Sequence, residues 1–163
     1  MLDVGGGDGT LAAHGERAPG PSRGRVQPAR HRATGGPHPR ALWTLPERLG
    51  FQGGDFLREP LPGGYDTLCF VRVLHDWPAD TARALLVAAR DALPPGGRVL
   101  ICEEFRTPER LAAQFFWSYF LMGVDTCVSR LREVEHYLRV LDETGFKDAE
   151  VLPGPFELIL AHR

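Results

Sequence analysis

The chain has 163 residues, enough for one domain with a hydrophobic core of its own. Apolar residues make up 43% and charged residues 25%, and the net charge of −2 with a pI near 6.3 gives no electrostatic basis for a nucleic-acid or membrane-surface partner. No basic leader precedes an apolar run and no apolar stretch reaches the roughly 18 residues of a membrane span, so a cytoplasmic protein is expected.

The chain opens on Met1-Leu2-Asp3-Val4, a short strand running straight into glycines. A domain that starts on its first strand leads us to expect more protein upstream. Residues 13–40 then break the pattern. They are dense in Gly, Pro, Arg and His, and Val26 is their only large aliphatic residue. Prolines at 19, 21, 28, 37 and 39 oppose both helix and strand, so an irregular stretch is expected. Order returns at Leu42. Arg48 to Gln52 reads as a short strand, followed by Gly53-Gly54-Asp55-Phe56. Thr67 to Leu74 is a mostly apolar run of the kind covered on both faces. Ala79 to Leu93 is helical, with Ala82, Leu85, Leu86, Ala89 and Leu93 on one face, and Pro94-Pro95-Gly96-Gly97 stops it. Arg98 to Cys102 is a second buried strand. Arg110 to Val124 is an aromatic-rich helix, and Val134 to Glu143 a further helix closed by Gly145. Ala149 to Leu152 and Phe156 to Ala161 form a terminal strand pair. This alternation predicts an α/β fold with a mainly parallel, doubly wound sheet. The three cysteines, Cys69, Cys102 and Cys127, are odd in number and far apart, which points to reduced thiols rather than disulfides or a zinc site.

Several groups carry chemistry. Closely spaced glycines after the strand end at Asp3-Val4 let the backbone pass near a nucleotide-like ligand, whether NAD, FAD or S-adenosylmethionine; a purely structural turn has the same sequence. An acidic residue usually meets the ribose about 20 residues later, yet no Asp or Glu lies between Glu16 and Glu47. Asp55 and Phe56 suit an adenine amino group and ring, or simply an Asx turn. His75 falls at the carboxyl edge of the sheet, where ligands of such folds gather. It is either a structural histidine or a base whose ordinary pKa of about 6.5 suits a phenol proton. Glu103-Glu104 reaches the same edge, as a brace for the imidazole or as a solvated strand end. The run Phe115 to Met122 encircles its helix with aromatics, so part of it faces a flat substrate or another domain rather than this core.

Taken together, LDVGGGDG, GGDF, RVLHDWPAD, LPPGGRVLICEE and ETGF resemble the cation-independent small-molecule O-methyltransferases, a family that includes plant caffeic-acid, acetylserotonin and bacterial antibiotic-tailoring enzymes of secondary metabolism. The likeness runs from Met1 to about Leu11 and from about Arg48 to the end. It implies a Rossmann-like methyltransferase sheet, flanked by helices, whose last strand is antiparallel, with residues 1–163 forming the catalytic domain. It implies S-adenosylmethionine as methyl donor, S-adenosylhomocysteine as product and no metal. Donor contacts would come from Asp3, Gly5, Gly6, Gly7, Asp55, Phe56, Val71 and Arg72. His75 would be the general base and Glu103 its brace. Asp76, Phe116, Trp117 and Met122 would meet a small hydroxylated acceptor, aromatic or polyketide-like.

Three features depart from the family. Its amino-terminal helical domain, which forms the homodimer, has no counterpart in these residues. Residues 13–40 stand where a helix, a second strand and the ribose acid belong, and their composition suits a stretch translated in another reading frame. A second Glu ahead of an Arg-Thr pair is matched only by Leu131-Arg132-Glu133, where Leu131 is no carboxylate and Glu133 is displaced. An inactive remnant of such an enzyme and an NAD-dependent Rossmann enzyme are the alternatives. Preference for NAD over S-adenosylhomocysteine would favour the latter, and weak donor binding with exposed apolar surface the former.

Overall fold

The computed structural model describes residues 1–6, 25–27, 50–51, 53–122, 129–154 and 158–163. Seven strands form one sheet: β1 (Leu2–Val4), β2 (Arg25–Gln27), β3 (Gly50–Phe51), β4 (Thr67–Val71), β5 (Arg98–Cys102), β6 (Lys147–Leu152) and β7 (Leu158–His162). Their spatial order is β3-β2-β1-β4-β5-β7-β6. The pairs β1–β2, β1–β4, β2–β3 and β4–β5 are parallel, while β7 runs antiparallel to both β5 and β6. The expected mainly parallel sheet with a reversed last strand is therefore present. The reversal has a local cause: only the few residues around Pro153-Gly154 join β6 to β7, too short a link for a parallel crossover. Among the described residues there are three α-helices, in chain order α1 (Ala79–Ala92), α2 (Leu111–Met122) and α3 (Val134–Glu143).

Both faces of the sheet's centre are covered. Leu2, Asp3 and Val4 of β1 are all buried, as are Thr67, Leu68, Cys69 and Phe70 of β4. Leu2, Val4, Leu68 and Phe70 join Ala82, Leu85, Leu86 and Ala89 of α1 and Tyr137, Val140 and Leu141 of α3 in one core cluster with Val99, Ile101, Ile159 and Ala161. Strand β6 is exposed along most of its length and forms one edge of the sheet, opposite β3. The end of α3 shows why Gly145 belongs there. Its φ is +88°, its N–H donates to Asp142 O at 3.0 Å, and Phe146 N–H donates to Leu141 O at 2.9 Å. Those two bonds close the helix in a Schellman motif, with Phe146 buried beyond it.

Two expectations need correction. Residues 13–40 are not without a strand: Arg25–Gln27 pairs in parallel with both β1 and β3. A three-residue strand between two partners is held by main-chain hydrogen bonds and needs no side-chain period, so composition could not reveal it. The rest of 13–40 lies outside the described residues, as do Gly7 and Cys127. The strand expected to run to Leu74 ends at Val71. Arg72 has φ 56°, which breaks the extended run, and Leu74–Asp76 forms a 3₁₀ turn instead. Of the thiols, Cys69 is buried and Cys102 half-buried, and both are free.

Candidate active site

The carboxyl ends of β1, β4 and β5 lie side by side, and the chain that leaves each carries a candidate residue. From β1 the backbone turns at Gly5 with φ +75°. A Cβ there would stand 2.8 Å from Val73 Cγ2, so no larger residue fits while Val73 holds its place. Two residues earlier, Asp3 is 1% exposed, and neither of its carboxylate oxygens has a hydrogen-bond partner among the described residues. Burial pushes its carboxyl up to about 6.

From β4 the kink at Arg72 redirects the chain, with Arg72 N–H donating to Cys102 O at 2.9 Å. The next two N–H groups, of Val73 and Leu74, donate to Glu103 Oε1 at 3.0 and 2.8 Å. The other oxygen, Oε2, lies against His75 Nδ1. Glu103 and His75 are each 3% exposed. One buried carboxylate thus caps the start of the 3₁₀ turn and orients the imidazole carried by that turn. The far ring nitrogen, Nε2, lies 3.4 Å from Asp76 Oδ1, and Asp76 is partly open to solvent. Glu104, the neighbour of Glu103, is paired instead with Arg110 Nη1 at 3.5 Å.

Residues 129–132 hold the turn from its other end. Arg130 N–H donates to His75 O at 2.8 Å and Ser129 Oγ to Asp76 O at 3.3 Å. Arg132, 8% exposed, donates from Nη1 to Leu74 O at 3.1 Å and from Nη2 to Trp77 O at 2.6 Å. Sequence reasoning named Arg132 only within the nearest match to the family's Arg-Thr pair and gave it no role. It sits in a charged stretch, Ser-Arg-Leu-Arg-Glu, that reads as solvated, and no pattern there marks a buried guanidinium.

The remaining candidates fall as follows. Phe56 is buried and packs edge-on against Trp77, with ring centroids 6.1 Å apart. Asp55 Oδ1 accepts from Leu57 N–H at 3.1 Å, an Asx turn, and Oδ2 lies 3.7 Å from Arg58 Nε. Gly6 and Val71 are half-buried beside Gly5 and Arg72 in sequence. Phe116 is exposed, together with Leu111, Phe115 and Tyr119 on α2. The side chains of Trp117 and Met122 lie outside the described residues. Among the described residues no His, Cys, Asp or Glu cluster could hold a metal ion, and no helix is long and apolar enough to cross a membrane.

A family model described as an O-methyltransferase domain matches residues 1–147. The chain is 31% identical over 166 aligned residues to the demethylspheroidene O-methyltransferase of Cereibacter sphaeroides, covering 94% of this chain and 41% of that protein. It is 33% identical over 103 residues to the N,N-dimethyltransferase OxyT of Streptomyces rimosus, covering 63% of this chain and 30% of that one. The crystal structure of human N-acetylserotonin methyltransferase in complex with SAM superposes with a TM-score of 0.79 at 28% identity, over 100% of this chain and 47% of that one. The chain therefore spans less than half the length of these relatives.

Proposed function

The chain belongs to the O-methyltransferase domain family, and on that premise we propose that it moves the methyl group of S-adenosylmethionine to a hydroxyl of a small aromatic or polyketide-like acceptor, with His75 as general base. One observation carries the reading: the Glu103 carboxylate is held by two main-chain N–H groups and lies against His75 Nδ1. A relative that methylates nitrogen, as the name of OxyT states, makes oxygen as the accepting atom part of the proposal.

The residues present fit the donor. Asp3 offers a buried carboxylate with no partner among the described residues, suited to an ammonium group. Gly5 keeps the turn beside it free of side chain. Asp3, Gly5, Gly6 and Gly7 would hold the amino-acid and ribose parts, Asp55 and Phe56 the adenine, and the main chain at Val71 and Arg72 the edge between them. When bound, the donor supplies a methyl group on a cationic sulfur that leaves readily, so the protein mainly aligns atoms and handles one proton. Glu103 on Nδ1 selects the tautomer whose Nδ1 bears hydrogen, which leaves Nε2 to accept. The acceptor hydroxyl approaches Nε2, where Asp76 Oδ1 already stands, and gives up its proton there as its oxygen takes the methyl group. Glu103 then stabilises the imidazolium, an ion pair shielded from water.

The remnant reading keeps one specific support, the lack of any acid between Glu16 and Glu47. Calorimetric titration of the folded chain with S-adenosylhomocysteine separates the two. Binding in the micromolar-to-submillimolar range usual for substrates is expected. A folded chain that binds nothing at millimolar ligand would leave only the remnant.

A further inference from the structure

The 3₁₀ turn that carries His75 is poorly secured by its own bonds. It is three residues long, Leu74–Asp76, and Val73 ahead of it makes no side-chain cap. Its internal bonds, Asp76 N–H to Val73 O and Trp77 N–H to Leu74 O, are 3.2 and 3.4 Å. So short a 3₁₀ segment has weak hydrogen-bond geometry, and its direction must be set from outside. Glu103 fixes the start. The carbonyls of residues 74 to 77 are all met by residues 129–132, and the Arg132 guanidinium alone takes the first and the last of them.

We propose that Arg132 is a positioning residue: by clamping Leu74 O and Trp77 O it fixes how the turn presents the His75 ring to Glu103 and to the acceptor. This rests on the reading of His75 as the base. A planar guanidinium with donors in a fixed fork suits the task, because it reaches two carbonyls at once and sets the angle between them. The clamp is itself anchored: Arg132 O accepts from Arg106 N–H at 2.9 Å, and the side chain is buried. Its charge also reaches the Tyr137 hydroxyl, which burial and Glu103 push up and Arg132 draws back down. Arg132, Tyr137 and Glu103 are all buried. Arg132 Nη1 and Nη2 each donate to a main-chain carbonyl of the turn, so these two bonds act on its shape.

The test compares Arg132→Met and Arg132→Lys with the native chain. Proton NMR follows the low-field Nδ1–H signal of His75 against Glu103, assigned by its loss in His75→Gln. Methyl transfer from S-adenosylmethionine to a simple catechol gives kcat, and S-adenosylhomocysteine titration gives donor affinity. Arg132→Met is expected to lose or broaden the signal and to drop kcat by about 10²-fold, the usual effect of misplacing a reacting group by about 1 Å. Donor affinity should change by less than about twofold, since the Arg132 side chain bonds Leu74 O and Trp77 O and neither residue is among those assigned to the donor. Arg132→Lys, a point charge able to reach one carbonyl at a time, should recover part of both. A folded Arg132→Met with the native signal and native kcat overturns the proposal, whatever its melting temperature. Should Arg132→Met fail to fold, Arg132→Lys decides on the same two readouts, and native values in both overturn it. The NMR signal needs no acceptor, so absence of turnover in the native chain would count against the methyltransferase reading and leave the clamp still on trial.

Discussion

Asp3 makes the sharpest statement at the scale of one residue. Its carboxyl is raised to about 6 from an ordinary value of 3.8 because burial disfavours the charge. Between about pH 4 and pH 6 the unfolded chain has lost a proton that the folded chain keeps. Stability therefore falls as pH rises through that window, and the deficit persists above it. A shift of this size corresponds to about 3 kcal/mol. Asp3→Asn should raise the unfolding free energy at pH 7.5 by up to that amount and change little at pH 4, as read by urea unfolding at the two pH values. An equal effect at both would mean that the carboxylate is not the source of the penalty. Glu103 invites the opposite operation. In Glu103→Gln the amide oxygen can still accept from Val73 and Leu74, but the amide nitrogen then donates to His75 Nδ1 and forces the proton onto Nε2. Turnover should fall by roughly 10²–10⁴-fold, the share of a general base, with the circular dichroism spectrum unchanged. Retained turnover would show that the tautomer is set elsewhere.

Among the elements, the end of α3 is the cleanest case. Gly145 holds φ +88° and a Cβ added there would meet Arg90 Nε at 3.3 Å. Gly145→Ala should cost about 1–2 kcal/mol, the penalty of a left-handed conformation for an L-residue, measured as a shift of the denaturant midpoint. A neutral result would mean that the Schellman turn rearranges. Arg72 is the reverse, a non-glycine residue at φ 56°. There Arg72→Val should destabilise by a similar amount, because β-branched side chains tolerate this region worst, while Arg72→Gly should be nearly neutral. The elements legible in the sequence were those whose side chains report their burial. The face of α1 and the apolar runs of β4 and β5 follow from period and length alone, and the end of α3 from Gly145. Strand β2 was not legible because Arg25–Gln27 is held by its neighbours' backbones. The end of β4 was misplaced because Val73 and Leu74 look like strand residues, while their N–H groups are claimed by Glu103, 29 and 30 positions away.

For the whole molecule, the sheet order places the ends of β1, β4 and β5 together at its centre, and the candidate site follows from that order. Its two most chemical members, His75 and Glu103, were legible because each follows an apolar strand into a turn. Arg132 was not, since only the return of the chain after α2 brings it beneath the 3₁₀ turn. The same centre holds the core. Phe70, fully buried on β4 between β1 and β5, should cost about 3–5 kcal/mol when cut to Ala, much of the stability of a domain this size. Thermal or denaturant unfolding checks that figure, and a loss under about 1 kcal/mol would mean the core closes over the gap. The most direct trial of the central claim is methyl transfer from labelled S-adenosylmethionine to a panel of phenols by the native chain and by His75→Ala, with S-adenosylhomocysteine affinity measured for both. A roughly 10²–10⁴-fold loss of turnover at unchanged donor affinity is the expected result. Equal turnover by the two would contradict it and return His75 to a purely structural role.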